Sequence, residues 1–103
     1  MIGIDVVEIS RVALRPSFIT YILTEDEQKE LETRHTEKAK KEYIAGRFAV
    51  KEAIFKATQD KNYLSYACLN EEKTNRPYIK AHPEINVSIT HDGGIAAAVV
   101  EIL

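Results

Sequence analysis

Glu52 and Lys56 stand four residues apart in the stretch Ala45-Gly46-Arg47-Phe48-Ala49-Val50-Lys51-Glu52-Ala53-Ile54-Phe55-Lys56-Ala57. On a helix that spacing puts an acid and an amine on one face. Phe48, Ala49 and Phe55 flank that face, so the carboxylate is poorly solvated unless a lysine, a metal ion or a ligand compensates it. The competing reading is an exposed Glu-to-Lys pair that stabilises the helix by about 0.3 kcal/mol. Asp5 raises the same question inside Met1-Ile2-Gly3-Ile4-Asp5-Val6-Val7. An acid in an apolar strand is either a partnered structural residue or a metal ligand. His91 follows Ser88-Ile89-Thr90 at a predicted strand end. The two hydroxyls and the imidazole make a small donor set, or the histidine simply bonds the backbone of a hairpin. Lys38, Lys40, Lys41 and Arg47 form a basic run: a solvated face, or a docking surface for an acidic partner or a phosphate. His35, among polar residues, reads as exposed.

Elements must hold these groups. The stretch around Glu52 has no proline and a single glycine, and its apolar residues cover nearly the whole helix circumference. It predicts a central helix from a Thr36 cap to about Thr58, covered on several sides. The β-branched content of residues 1–7 predicts a strand, with Gly3 marking close approach of backbone or ligand. Residues 8–13 are expected to turn into a helical segment carrying Arg11, with Arg15 four residues on. Pro16 closes that segment and opens a short helix over 17–23. Thr24 and Glu27 form a capping box for a mostly solvated helix ending near Thr33. From Tyr63 the period changes to extended, giving strands over 63–69, 78–81 and 85–90 with a turn at 73–77. Asp92-Gly93-Gly94 predicts a tight hairpin turn. The last strand, 95–103, is apolar on both faces and must be covered by the central helix or by another subunit. Helices first and antiparallel strands after, apart from the first strand, give an α+β class: a long central helix packed on a small antiparallel sheet.

The 103-residue chain reads as a single domain, 1–103, with a modest core. A net charge of −2 gives no global signal for nucleic acid, and basic and aromatic residues do not interleave. Cys68 is the one cysteine, which excludes an internal disulfide or a cysteine-based zinc site; it is expected to be a buried thiol. A cytoplasmic location is the expectation, since no run is long enough to span a bilayer and no signal peptide is read before the first strand.

Three separated pieces then coincide. Gly3-Ile4-Asp5-Val6-Val7-Glu8-Ile9-Ser10-Arg11-Val12 resembles the N-terminal Gly-Ile/Leu-Asp motif of the 4′-phosphopantetheinyl transferases. Residues 47–57 resemble their Phe/Trp-x-x-Lys-Glu-Ala/Ser-x-x-Lys helix, and Val87-Ser88-Ile89-Thr90-His91 resembles their Val-Ser-Ile-Ser/Thr-His motif. The resemblance covers essentially the whole chain and fits the short branch of the family.

It implies a 4′-phosphopantetheinyl transferase-like fold and a reaction in which coenzyme A and an apo acyl carrier protein give the holo carrier and adenosine 3′,5′-bisphosphate. A carrier serine attacks the β-phosphorus. Asp5 and Glu52 match the metal ligands for Mg²⁺, with Mn²⁺ possible, since both ions suit carboxylate and phosphate oxygens. Lys56 matches the lysine on the pyrophosphate that stabilises the leaving bisphosphate. Glu52, directly or through water, is the candidate general base. Arg47 matches an arginine near the coenzyme phosphates, and Arg11 a basic residue that docks the acidic carrier helix; Arg15 joins it by spacing only. The resemblance further implies a homotrimer with the coenzyme between neighbours. Asp5, Glu52 and Lys56 then come from one chain, Thr90 and His91 from the next. A role in fatty acid biosynthesis follows, with no nucleic acid and no membrane involved. Two departures stand out: Asp92 replaces the usual Thr or Ser after the histidine, and residues 58–64 lack the family's Gly-rich loop. Two other classes of function remain. A binding module would bind coenzyme without turnover. A structural protein would use Asp5, Glu52 and Lys56 only as a buried ion network, and alanine at Glu52 would then damage folding.

Overall fold

Side-chain alternation sets the main sheet. In β1 (Ile2–Glu8), Gly3, Asp5 and Val7 turn inward while Ile2, Ile4, Val6 and Glu8 stay exposed. β4 (Ile85–Asp92) and β5 (Ile95–Ile102) also alternate. The computed structural model describes residues 1–103, and its three-stranded sheet is antiparallel with the order β1-β5-β4. Gly93 and Gly94, at φ +58° and +83°, join β4 to β5. A two-residue turn with positive φ at both positions matches the strand twist, and glycine adopts it without strain.

The helix α3 (Glu37–Thr58) covers the inner face of the sheet, lying across β1 and β5. The Thr36 hydroxyl caps it, accepting from the Ala39 N–H at 3.0 Å. Gly3 is where strand and helix touch: a Cβ there would sit 1.8 Å from the Ala53 carbonyl oxygen. The close approach marked by this glycine is therefore to backbone, not to a ligand. Ala49, Val50, Ala53 and Ile54 pack with Cys68, Ile79, Ile85, Ala98 and Val100 in one core. Tyr43, Ile44 and Ala45 lead a second core with Val12, Ile22, Leu23, Leu31 and Ala96. Burial pushes the Cys68 thiol up to about 11, so it is the inert buried thiol expected.

Between these cores lies an ion pair. The helices α1 (Pro16–Ile22) and α2 (Glu25–Glu32) meet at Thr24, whose capping box with Glu27 is complete. The α2 helix is less solvated than expected, because Glu27 is fully buried against Lys51, itself fully buried. Glu27 also accepts the N–H groups of Thr24 (2.8 Å) and Cys68 (2.9 Å). Lys51 Nζ also donates to the carbonyls of Ile22 (2.7 Å) and Tyr63 (3.0 Å). Burial lowers the Lys51 pKa while Glu27 pulls it back. No buried side-chain nitrogen or oxygen is left without a partner, which is the condition for such a pair to be tolerated.

The predicted elements fail in two places. Residues 8–13 do not form a helix with Arg11 and Arg15 on one face. The pairing of β1 with β5 runs to Glu8, and the Ile9 N–H still bonds the Gly94 carbonyl at 2.9 Å. Only a 3₁₀ turn, Ile9–Arg11, fits before Arg15 takes the N-cap of α1 with Pro16 in its first turn. Nor is 63–69 one strand. Tyr63–Ser65 is a 3₁₀ turn, bent where Lys51 holds the Tyr63 carbonyl, and the strand β2 is only Cys68–Asn70. It pairs with β3 (Pro77–Ile79) in a separate two-stranded sheet.

Candidate active site

β1 delivers Asp5 from its inner face, and α3 delivers Glu52 and Lys56. The Gly3–Ala53 contact fixes the distance between the two elements. Lys56 Nζ lies 3.0 Å from Asp5 Oδ1, with the lysine side chain 53% exposed and the aspartate 17%. The lysine thus pairs across elements rather than with Glu52 on its own helix, and its partial exposure leaves the ammonium open to a ligand. Glu52 is half-buried, and its Oε1 accepts a hydrogen bond from the Tyr63 hydroxyl. Burial first, and then the bond to Glu52, hold the Tyr63 phenol well above its ordinary value, so it stays a donor at neutral pH.

Asp5 and Glu52 open on one cavity of about 410 Å³, shared with Glu8, Arg11, Phe18 and Phe48. Carboxylate oxygens are hard ligands suited to Mg²⁺ or Mn²⁺, and these two project into common space, so the residues fit such an ion. No group of three or more His, Cys, Asp or Glu side chains is placed to hold a metal. An ion here would take its other ligands from water and from a bound phosphate, as Mg²⁺ commonly does.

Thr90 and His91 lie elsewhere. Thr90 is exposed on the outer face of the sheet, in register with Ala97 and, through it, Val6. His91 Nδ1 is 3.5 Å from Glu42. Glu42 precedes Glu52 by ten residues of α3, about 15 Å of helix. His91 lines a cavity of about 280 Å³ with Arg34, Arg47, Tyr43 and Asn75, and a second of about 600 Å³ with Asp92, Lys38 and Ser10. Arg47 does not belong to a solvated basic face: it is 5% exposed. It donates to the Cys68 carbonyl (3.0 Å), to Glu30 (3.3 Å) and to Asn70, and its guanidinium stacks 4.1 Å from the centre of the Tyr43 ring. Lys38 is exposed, as a solvated face requires. Arg11 and Arg15 are both exposed, and only Arg11 borders the Asp5–Glu52 cavity.

Sequence reasoning missed Tyr63, taken as a strand residue, and Arg34, taken as part of a connection. Tyr63 carried a signal in the polar run Asp60-Lys61-Asn62 before it, which favours a turn over a strand. Arg34 carried none.

Fold and site together define a class: a small α+β protein whose long helix presents a glutamate and a lysine to an aspartate of its first strand. The family model of the 4′-phosphopantetheinyl transferase superfamily matches residues 1–100, and the chain belongs to that superfamily. The chain is 38% identical over 109 residues to a holo-[acyl-carrier-protein] synthase of Halalkalibacterium halodurans, covering 95% of this chain and 90% of the relative. A synthase of the same name from Mycoplasma mycoides is 36% identical over 94 residues, covering 88% and 83%. The crystal structure of a holo-(acyl-carrier-protein) synthase from Bacillus anthracis in complex with coenzyme A (3′,5′-ADP) superposes with a TM-score of 0.81 at 31% identity, covering 96% of this chain and 91% of that one. The Helicobacter pylori holo-[acyl-carrier-protein] synthase in complex with coenzyme A gives 0.80 at 29% identity, with both chains fully covered.

Proposed function

We propose that the chain is a holo-[acyl-carrier-protein] synthase. It transfers 4′-phosphopantetheine from coenzyme A to a serine of apo acyl carrier protein and releases adenosine 3′,5′-bisphosphate, in a Mg²⁺-dependent reaction. The observation that carries this reading is the shared cavity of Asp5 and Glu52, with Lys56 paired to Asp5. The relatives named above support it. Asp5 and Glu52 would hold the ion, Mg²⁺ or Mn²⁺. When bound, it supplies positive charge to the pyrophosphate oxygens as the bond between the two phosphates breaks. Lys56 turns its exposed ammonium to the same pyrophosphate and stabilises the charge left on the departing bisphosphate. The serine oxygen forms the new bond to phosphorus, and Glu52 takes its proton, directly or through water. Phe18 and Phe48 give that cavity an apolar lining.

The nucleotide end is assigned to a neighbouring chain, where Thr90 and His91 meet it, with Arg34 and the Glu30-paired Arg47 in the wall. This requires a second copy against the sheet, and the outer face suits one: Ile2, Ile4 and Val6 are 69%, 60% and 56% exposed beside Val99. Monomers rarely leave such a row open, and a homotrimer with sites at its seams covers it. Arg11, at the cavity rim, and Arg15 dock the acidic carrier helix. Each chain contributes a single 4′-phosphopantetheinyl transferase domain, 1–103. No helix is long and apolar enough to cross a membrane. A role in fatty acid biosynthesis in the cytoplasm completes the proposal.

The test is to incubate the protein with coenzyme A, Mg²⁺ and apo acyl carrier protein and weigh the carrier by mass spectrometry. The expected gain is one phosphopantetheine, lost with a chelator and absent in a folded Glu52→Ala variant. No gain with several carriers and a folded protein overturns the reading.

A further inference from the structure

We infer that Tyr63 is a positioning residue for Glu52, holding one carboxylate oxygen so that only the other is offered to the metal. The inference deepens the transferase reading and rests on its acid pair. The Tyr63 hydroxyl donates to Glu52 Oε1. A glutamate carboxylate otherwise turns in a broad, two-fold well and can bind an ion through one oxygen or both. A donor on one oxygen competes with the two-oxygen mode and fixes the plane of the group.

Tyr63 suits this task because both of its ends are held. Its ring packs edge-on against Tyr21 (centroids 5.7 Å apart, planes at 87°) and Phe48 (6.1 Å, 80°). Phe48 is itself braced by Phe18 at 5.8 Å. Its carbonyl takes the bond from Lys51 Nζ at 3.0 Å. Lys51 and Glu52 are consecutive in α3, so one turn of helix grips the tyrosine at its backbone and at its hydroxyl. The fully buried Lys51–Glu27 pair thereby acts on the site through Tyr63: it fixes the 3₁₀ turn that aims the hydroxyl. This is how second-sphere hydrogen bonds orient metal-binding carboxylates, and losing one lowers metal affinity about 10- to 100-fold.

The test is Tyr63→Phe, which removes the hydroxyl and keeps the ring. Mn²⁺ binding is read by electron paramagnetic resonance with coenzyme A present, alongside the Mg²⁺ dependence of turnover and a thermal melt. The expected result is about tenfold weaker Mn²⁺ binding, with turnover recovered at high Mg²⁺ and an unchanged melt. Mn²⁺ affinity within about twofold of wild type in the folded variant, or wild-type Mn²⁺ binding that does not need Glu52, overturns the inference. If no carrier is modified, yet Mn²⁺ binds through Glu52 and weakens in Tyr63→Phe, the transferase reading falls and the positioning role stands. If the carrier is modified and Tyr63→Phe leaves Mn²⁺ binding and Mg²⁺ dependence untouched, the positioning role falls alone.

Discussion

Asp92 closes β4 beside His91 and lines the same cavity of about 600 Å³. A carboxylate there repels coenzyme phosphates unless a cation offsets it, and Lys38 is the cation on that wall. Asp92→Thr is therefore expected to lower the KM for coenzyme A about threefold at low salt, with the gain shrinking in about 0.5 M salt as screening grows. Steady-state assays at two ionic strengths check this, and an unchanged KM at both shows that Asp92 does not act on the coenzyme. The acids of the candidate site were legible in the residues themselves. Asp5 interrupts an apolar strand, and Glu52 and Lys56 share a helical spacing; both are local signals. Arg47 was not legible as a buried residue, because its partners Glu30 and Asn70 lie 17 and 23 residues away in the chain.

The fit of β1 on α3 sets how far Asp5 stands from Glu52 and Lys56. At Gly3 the obstacle is the Ala53 carbonyl, which cannot move without breaking the helix. Gly3→Ala is expected to cost about 3 kcal/mol in urea unfolding and to abolish turnover by parting Asp5 from Glu52. At Gly46 an added Cβ would meet only Ile89 Cγ2, at 3.3 Å. Gly46→Ala should stay within about 1 kcal/mol of wild type, since helix propensity offsets the tight contact. A stable, active Gly3→Ala variant would contradict this account. The Lys51–Glu27 pair gives a second test. Lys51→Met should cost about 3–5 kcal/mol by leaving Glu27 buried and unpaired. An apolar pair, Lys51→Met with Glu27→Leu, should not restore stability, because backbone groups at Ile22, Thr24, Tyr63 and Cys68 lose partners too. Full recovery in denaturant titration would show that the pair is an isolated one. The capping box was visible because it spans only Thr24 to Glu27. At Tyr63 the polar run before it signals a turn, but the bond that holds that turn comes from Lys51, 12 residues earlier, and was not visible.

At the scale of the molecule, the outer face of the sheet is the unfinished surface. Ile4→Lys leaves the chain's own core untouched, because Ile4 is exposed in the single chain. The variant is expected to sediment as one chain with an unchanged circular dichroism spectrum and turnover down more than about 100-fold. A variant that is active as a single chain would show that the site needs no neighbour. That the last strand is apolar on both faces was plain from its residues; which of them share the exposed face with Ile2, Ile4 and Val6 became clear only from the register of β1 against β5. The separation of His91 from Asp5 and Glu52 along α3 has a genetic consequence. If one copy lends its histidine to the acids of the next and turnover needs both, a Glu52→Ala chain and a His91→Ala chain are each inactive alone but repair one another when expressed together. Random mixing leaves about a quarter of the seams with both groups intact, so a cell carrying the two null alleles would recover about that share of the activity and grow.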